Sequence, residues 1–193
     1  MLFKRRSLHN LMVAVTCLST VAITPIADAK KGGEDAGKRL SDRAEITQLT
    51  YCYAEATDAI GRGDFATGKQ TYKECFTPNA DIKAYFPGED PNGPPGVSAI
   101  GPEAYAVAVK GVFESAGYVS TQHLIGNVRI DLDGNHGTMT SYLSATHVLD
   151  PDGTIEVAHG TYFDTVVRTP QGWKIATRKL ILLTFVRLEA PAP

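Results

Sequence analysis

The chain has no surplus of positive charge, few cysteines and none of the short motifs that announce a cofactor. Across 193 residues, 19 lysines and arginines stand against 21 aspartates and glutamates, for a net charge of −2. That balance gives no electrostatic basis for binding nucleic acid or an anionic membrane surface. No Gly-rich phosphate loop follows a strand, so a nucleotide cofactor is not expected. There is no GxSxG elbow of the kind that carries a nucleophilic serine. No HxH or HExxH spacing is present, so no metal is expected either. Apolar residues make up 43% and charged residues 21%, ordinary values for a globular protein. The length fits one domain plus a leader, and no internal repeat is visible.

The beginning of the chain has the marks of a leader. Lys4, Arg5 and Arg6 form a basic start, Leu11 to Ile23 is a mostly apolar run, and Ala27-Asp28-Ala29 gives a small-x-small pattern. The run is short for a transmembrane helix. Residues 1–29 therefore read as a secretory signal peptide cleaved after Ala29, with an uncleaved membrane anchor as the alternative. The Arg5-Arg6 pair lacks a twin-arginine context, which favours the general export route. The mature protein is then expected in the periplasm or outside the cell, free of the membrane. Of three cysteines, Cys17 leaves with the leader, while Cys52 and Cys75 remain as an even pair in an oxidising compartment. A turn at Gly61-Arg62-Gly63 would fold two helices antiparallel and bring this pair together, as a disulfide or as two buried thiols.

Residues 30–40 are Lys- and Gly-rich and read as a disordered lead-in to a domain over 41–188, with a tail at 189–193. Ser41 is a plausible N-cap, and Ile46, Leu49, Tyr53, Ala56 and Ile60 recur at helical spacing, predicting a helix over Asp42–Ile60. Gly61 and Gly63 stop it, and Asp64 can cap a second helix to Cys75. Asp81–Phe86 reads as a short strand. Pro87 to Gly96 is a loop, either a rim over a pocket or an inert surface segment. Pro102 opens a third helix to about Ser115. Four strands follow, over Ser120–Leu132, Gly137–Leu149, Thr154–Thr169 and Trp173–Arg187, separated by turn residues at 133–135, 150–153 and 170–172. Helices first and a strand meander last mean α+β, with a curved antiparallel sheet around the first helix and a conical cavity between them.

Three histidines fall in these strands, and strand parity predicts where they point. His147 shares a face with Met139, Leu143 and Ala145, and His159 with Ile155, Val157, Phe163 and Val167, so both are expected inside. His123 is out of phase with the apolar set Leu124, Val128, Ile130 and Leu132. A β-bulge near Gly126 would put it on the side of Val128 and Ile130. Asp58 sits in the last turn of the first helix, where the helix dipole disfavours negative charge. Such a carboxylate, partly buried, needs a cationic or hydrogen-bonding partner, and a histidine would serve. Tyr53, on the apolar stripe, needs a partner for its hydroxyl.

These residues resemble a known family. Thr121-Gln122-His123-Leu124-Ile125-Gly126-Asn127 is similar to the T-Q-H-x-I-G stretch of scytalone dehydratase and its SnoaL-like relatives in the NTF2-like superfamily. Tyr53 to Asp58, followed by Gly63-Asp64-Phe65, resembles their first helix. His159-Gly160-Thr161-Tyr162-Phe163-Asp164 and Gly172-Trp173-Lys174-Ile175 resemble their last two strands. The resemblance covers about Leu40 to Leu188 and implies a cone-shaped α+β barrel. It also implies a cofactor-free enzyme acting on a small hydrophobic or aromatic molecule, assembled as a homodimer or homotrimer. By the resemblance, Asp58 and His123 form a catalytic dyad, and Tyr53 and His147 donate to a leaving oxygen. His159, Tyr162 and Asn127 contact the substrate. Gly160 and Tyr162 replace a serine and an asparagine of the dehydratase, so scytalone itself is not the expected substrate. The expected activity is that of a lyase on a hydroxylated, mostly apolar ring compound, through water loss or loss of a small carbonyl fragment. A non-catalytic periplasmic binding protein and a double-bond isomerase are the alternatives.

Overall fold

The computed structural model describes residues 26–149 and 153–189. The expected leader lies for the most part outside the described residues, as do the tail beyond Glu189 and the turn residues 150–152. The chain divides into two compact units, residues 1–36 and 37–193, and the site lies in the second. Helix α1 runs over Ile26–Gly61. It passes through residues 30–40, which the composition had marked as irregular. No proline stands between Pro25 and Gly61, so a helix nucleated on the apolar stripe meets no steric stop as it propagates backwards. The stripe itself is as predicted: Ile46, Leu49, Tyr53, Ala56 and Ile60 are all buried.

Helix α2 (Phe65–Cys75) is capped by the Asp64 carboxylate, which accepts from the Thr67 amide at 3.1 Å. It turns back tightly on α1. A Cβ at Gly68 would sit 2.6 Å from the Ala56 carbonyl oxygen, so only glycine permits this approach. Cys52 and Cys75 are joined as a disulfide, with Cα atoms 5.8 Å apart, which ties the C-terminal half of α1 to the end of α2. Strands β1 (Phe76–Tyr85) and β2 (Val97–Ile100) flank the loop, and helix α3 (Pro102–Ala116) follows. Then come β3 (Tyr118–Asp133), β4 (His136–Leu149), β5 (Ile155–Thr169) and β6 (Gly172–Leu188). All six strands form one sheet in the order β2-β1-β6-β5-β4-β3.

The sheet is mixed and not wholly antiparallel, because β1 pairs parallel with β6. That contact closes over nearly the whole domain, and local periodicity carries no signal for it. The four-residue β2, between Pro95-Gly96 and Gly101, was missed for its brevity. The inner face of β4 presents Met139, Leu143, Ala145 and His147, and that of β5 presents Ala158, Tyr162, Asp164 and Val166, all buried. On β6, pairing slips between Thr165 and Val166, so the buried set changes from Trp173 and Ile175 to Arg178, Leu180 and Leu182.

The slip places a guanidinium in the core. Arg178 holds Asp164 by two bonds, Nε to Oδ1 at 2.8 Å and Nη2 to Oδ2 at 2.7 Å, with both side chains fully buried. Its guanidinium lies 4.1 Å from the Tyr53 ring centre and 4.3 Å from that of Tyr162. Burial works against the charge, but the Asp164 carboxylate outweighs it and keeps the arginine protonated.

Two stability outcomes follow. Reducing the Cys52–Cys75 bond, which closes a loop of 23 residues, should cost about 3 kcal/mol in denaturant melts; an unchanged midpoint would contradict the bond's contribution. Arg178→Met should cost about 3–5 kcal/mol by stranding the Asp164 carboxylate, and adding Asp164→Leu should restore most of it. A single-variant loss below about 1 kcal/mol would show the pair to be energetically idle.

Candidate active site

Asp58 and His123 meet where the end of α1 reaches β3. The Asp58 carboxylate accepts from the Thr121 hydroxyl at 3.1 Å, the His123 amide at 3.1 Å and the His123 Nδ1 at 2.7 Å. These three donors offset the dipole that disfavours a carboxylate at this helix end. The Asp58 side chain is 15% exposed and that of His123 6%, so the pair is largely withdrawn from water. Gly61 makes the approach possible: a Cβ there would lie 2.2 Å from the Thr121 hydroxyl. The expected bulge is present. The β3–β4 register shifts between Gly126 and Arg129, and Asn127 takes a positive φ of 52°. His123 and the buried Ile130 thereby share the inner face, as the parity argument requires.

Because a carboxylate only accepts, Nδ1 of His123 carries a proton, an assignment made from the hydrogen-bond network, and in the neutral ring Nε2 is then the free acceptor. Such a ring can take a proton at Nε2 while Asp58 stabilises the resulting imidazolium. Tyr53 is edge-on to His123, with centroids 6.3 Å apart, and its hydroxyl meets that of Tyr105 at 3.0 Å. The buried Tyr162 hydroxyl, beside that of Tyr53, has no hydrogen bond of good geometry. Burial first, then neighbouring phenols, push Tyr105 and Tyr162 well above the usual tyrosine range, so both remain donors.

His147 is buried next to His123, the two rings perpendicular at 5.6 Å. Its Nδ1 lies 3.3 Å from the backbone carbonyl oxygen of Glu156. A carbonyl accepts, so Nδ1 is the protonated nitrogen here too, and the neutral ring has no proton on Nε2 to give. Burial first, and the charge on a protonated His123 second, lower its pKa to about 4. The donor role expected for His147 therefore does not hold near neutral pH.

Tyr53, Tyr105, His123, His147 and Tyr162 line a cavity of 80 Å³, its remaining wall mostly aliphatic and its rim including Phe86, Val97 and Phe185. Phe86 and Val97 flank the Pro87–Gly96 loop, while none of residues 87–96 lines the cavity itself. Two expected substrate contacts fall elsewhere. His159 is exposed on the outer sheet face, its Nδ1 3.1 Å from the Thr184 hydroxyl. Asn127 is exposed at the bulge. Both border an outer hollow of 710 Å³ with Tyr51, Leu124, Tyr142 and Leu183. His123 also borders that hollow, but Tyr53, Tyr105, Tyr162 and His147 do not, so the smaller inner cavity is where these polar groups converge. The parity of β5 misled because its outer face is the more apolar by residue type, whereas the inner face carries Ala158, Gly160 and the paired Asp164. Thr121, Tyr105 and Arg178 were not anticipated as parts of the site. Thr121 is two residues before His123 and so on the same strand face, a usable signal; Arg178 had none, because the β6 slip reverses its parity. Among the described residues, no three His, Cys, Asp or Glu side chains are grouped so as to hold a metal ion.

The buried neutral His147 sets a pH dependence. An unfolded histidine titrates near its ordinary value of 6.5, whereas the folded ring resists protonation until about 4, so the unfolded chain takes up the proton first. The contribution is complete above about pH 6.5 and is lost as pH falls through 4. At about 1.4 kcal/mol per pH unit the loss approaches about 3 kcal/mol. Denaturant melts across this range should show it, and His147→Phe should flatten the slope; identical profiles would contradict the assignment.

The sequence model of the SnoaL-like domain matches residues 38–179, most of the chain. No curated protein matches it. Among solved structures, the Kfla4162 protein from Kribbella flavida is similar at 23% identity and a TM-score of 0.62, covering 77% of this chain and 95% of that one. A protein from Novosphingobium aromaticivorans described as "Putative Scytalone Dehydratase" is 20% identical with a TM-score of 0.62, covering 81% and 94%. Hexachlorocyclohexane dehydrochlorinase LinA-type3 from Novosphingobium barchaimii is 15% identical with a TM-score of 0.61, covering 80% and 97%. At these identities the structures establish the shared NTF2-like fold, and the family rests on the domain match. With an α1 carboxylate against a β3 imidazole inside that fold, the chain belongs to the SnoaL-like family.

Proposed function

We propose that the protein is a cofactor-independent lyase that eliminates water from a hydroxylated, mostly apolar ring compound. The observation that carries this reading is the 2.7 Å contact of Asp58 with His123 at the wall of a largely apolar cavity. His123 Nε2 takes a proton from a C–H beside a carbonyl, and Asp58 stabilises the imidazolium as it forms. Negative charge gathers on the carbonyl oxygen, where the Tyr162 and Tyr53 hydroxyls donate over the Arg178 guanidinium. The proton on His123 Nε2 then passes to the leaving hydroxyl, the C–O bond breaks and water departs. His147 lacks an Nε2 proton at neutral pH, so one histidine both removes the proton and returns it. Loss of a small carbonyl fragment would use the same groups. A single benzene ring fits a cavity of roughly 150 Å³, so the 80 Å³ space must widen to admit one. The 37% exposed Phe185 on its rim is the part of the wall freest to yield.

The disulfide supports the expected location in an oxidising compartment outside the cytoplasm. Exposed Leu124, Tyr142, Phe163 and Leu183 on the sheet support self-association as a homodimer or homotrimer.

A panel of cyclic β-hydroxy ketones, followed by product mass, tests the reaction. Loss of water is expected, an unchanged mass would mean isomerisation, and binding without turnover would mean a container. His123→Ala should lower the rate of water loss by about 10²–10⁴-fold, and Asp58→Asn by a comparable factor. Full activity in His123→Ala would overturn the mechanism.

A further inference from the structure

The clamp around His147 has no part in the elimination itself. The ring is stacked by Tyr118 on β3 at 4.5 Å and by Phe185 on β6 at 5.8 Å, and Phe113 on α3 meets it edge-on at 5.6 Å. Tyr118 is in turn held by a hydrogen bond from its hydroxyl to the Glu156 carboxylate. Arg187 grips the same carboxylate, with Nε at 2.9 Å and Nη2 at 2.6 Å from Oε1. Glu156 thus acts twice on His147. Its carboxylate fixes the aromatic plate against the imidazole, and its backbone carbonyl accepts a hydrogen bond from Nδ1–H. A ring so held cannot turn over without losing that bond and both stacks. Second partners of this kind are what fix a histidine tautomer.

We propose that His147 is a specificity-determining acceptor: its bare Nε2 receives a hydrogen bond from a free hydroxyl of the substrate. This rests on the reading of the inner cavity as the substrate site and sharpens the substrate class. The ligand carries, besides its acidic hydrogen, an O–H that meets His147, and an oxygen acceptor that meets the phenols. The cavity's polar points divide accordingly. Bare imidazole nitrogens of His123 and His147 stand on β3 and β4, and the hydroxyls of Tyr53, Tyr105 and Tyr162 on α1, α3 and β5. O-methylation of the substrate hydroxyl removes the only proton His147 can bind and leaves a buried nitrogen unpaired. Sites built around a substrate hydroxyl discriminate strongly against analogues that lack it for this reason.

Phenol and its methyl ether, anisole, are the probes. In the full-length protein at neutral pH, NMR of isotope-labelled histidine should show His147 in the Nδ1–H form. Phenol should move the His147 Nε2 resonance and anisole should not, and phenol should bind at least about tenfold more tightly. His147→Phe keeps an aromatic ring between Tyr118 and Phe185 and should abolish that preference. An Nε2–H tautomer would overturn the proposal, as would an Nε2 resonance unmoved by phenol or a preference that survives in His147→Phe. The tautomer and the resonance are read on the unaltered protein, so they stand even if the variant folds poorly. None of these readouts needs turnover. Failure of the lyase reading, seen as full activity in His123→Ala, is therefore distinguishable from failure here.

Discussion

Everything at this site depends on one buried carboxylate at the wrong end of a helix. Asp58 occupies a position where the α1 dipole opposes it, and it is held there by the Thr121 hydroxyl, the His123 amide and the His123 ring. The same three bonds join α1 to β3. Anchoring the helix to the sheet and fixing the tautomer of His123 are thus a single act, and losing the carboxylate would loosen both. Gly61 next to it has a corresponding role, since any side chain there would collide with Thr121.

The second constraint lies under the cavity. A core containing Tyr53, Tyr72, Tyr105, Phe76 and Tyr162 is rigid and apolar, and a guanidinium among these rings needs strong compensation. Asp164 supplies it by a two-point bond, and the rings of Tyr53 and Tyr162 supply the rest. The positive charge stays behind the phenols and outside the cavity lining, so it can strengthen their hydroxyls as donors without meeting the substrate. The two polar devices are complementary. One side of the cavity carries the two imidazoles and the other the three phenols, the division on which the proposed elimination rests.

Much of this was legible in the residues. The α1 stripe from Ile46 to Ile60, the cap at Asp64 and the turns after Asp133 and Thr169 follow from local rules, and the structure keeps them. His123 out of phase with its apolar neighbours required a bulge, and the bulge is at Asn127. Three things were hidden. The parallel pairing of β1 with β6 is a distant contact. The inward turn of Arg178 depends on a register slip that only the paired strand reveals. His159 was misplaced because Phe163, Leu124, Tyr142 and Leu183 make the outer face of the sheet apolar, which inverts the pattern that normally tells inside from outside.

The most direct check on the account is a double-mutant cycle for stability between Asp58 and His123, using Asp58→Ala, His123→Ala and the pair. The charge-assisted bond between two largely buried groups predicts a coupling of roughly 1.5–3 kcal/mol. Additive effects, with a coupling near zero, would mean that the carboxylate and the imidazole do not act together, and the proton-moving pair would not exist.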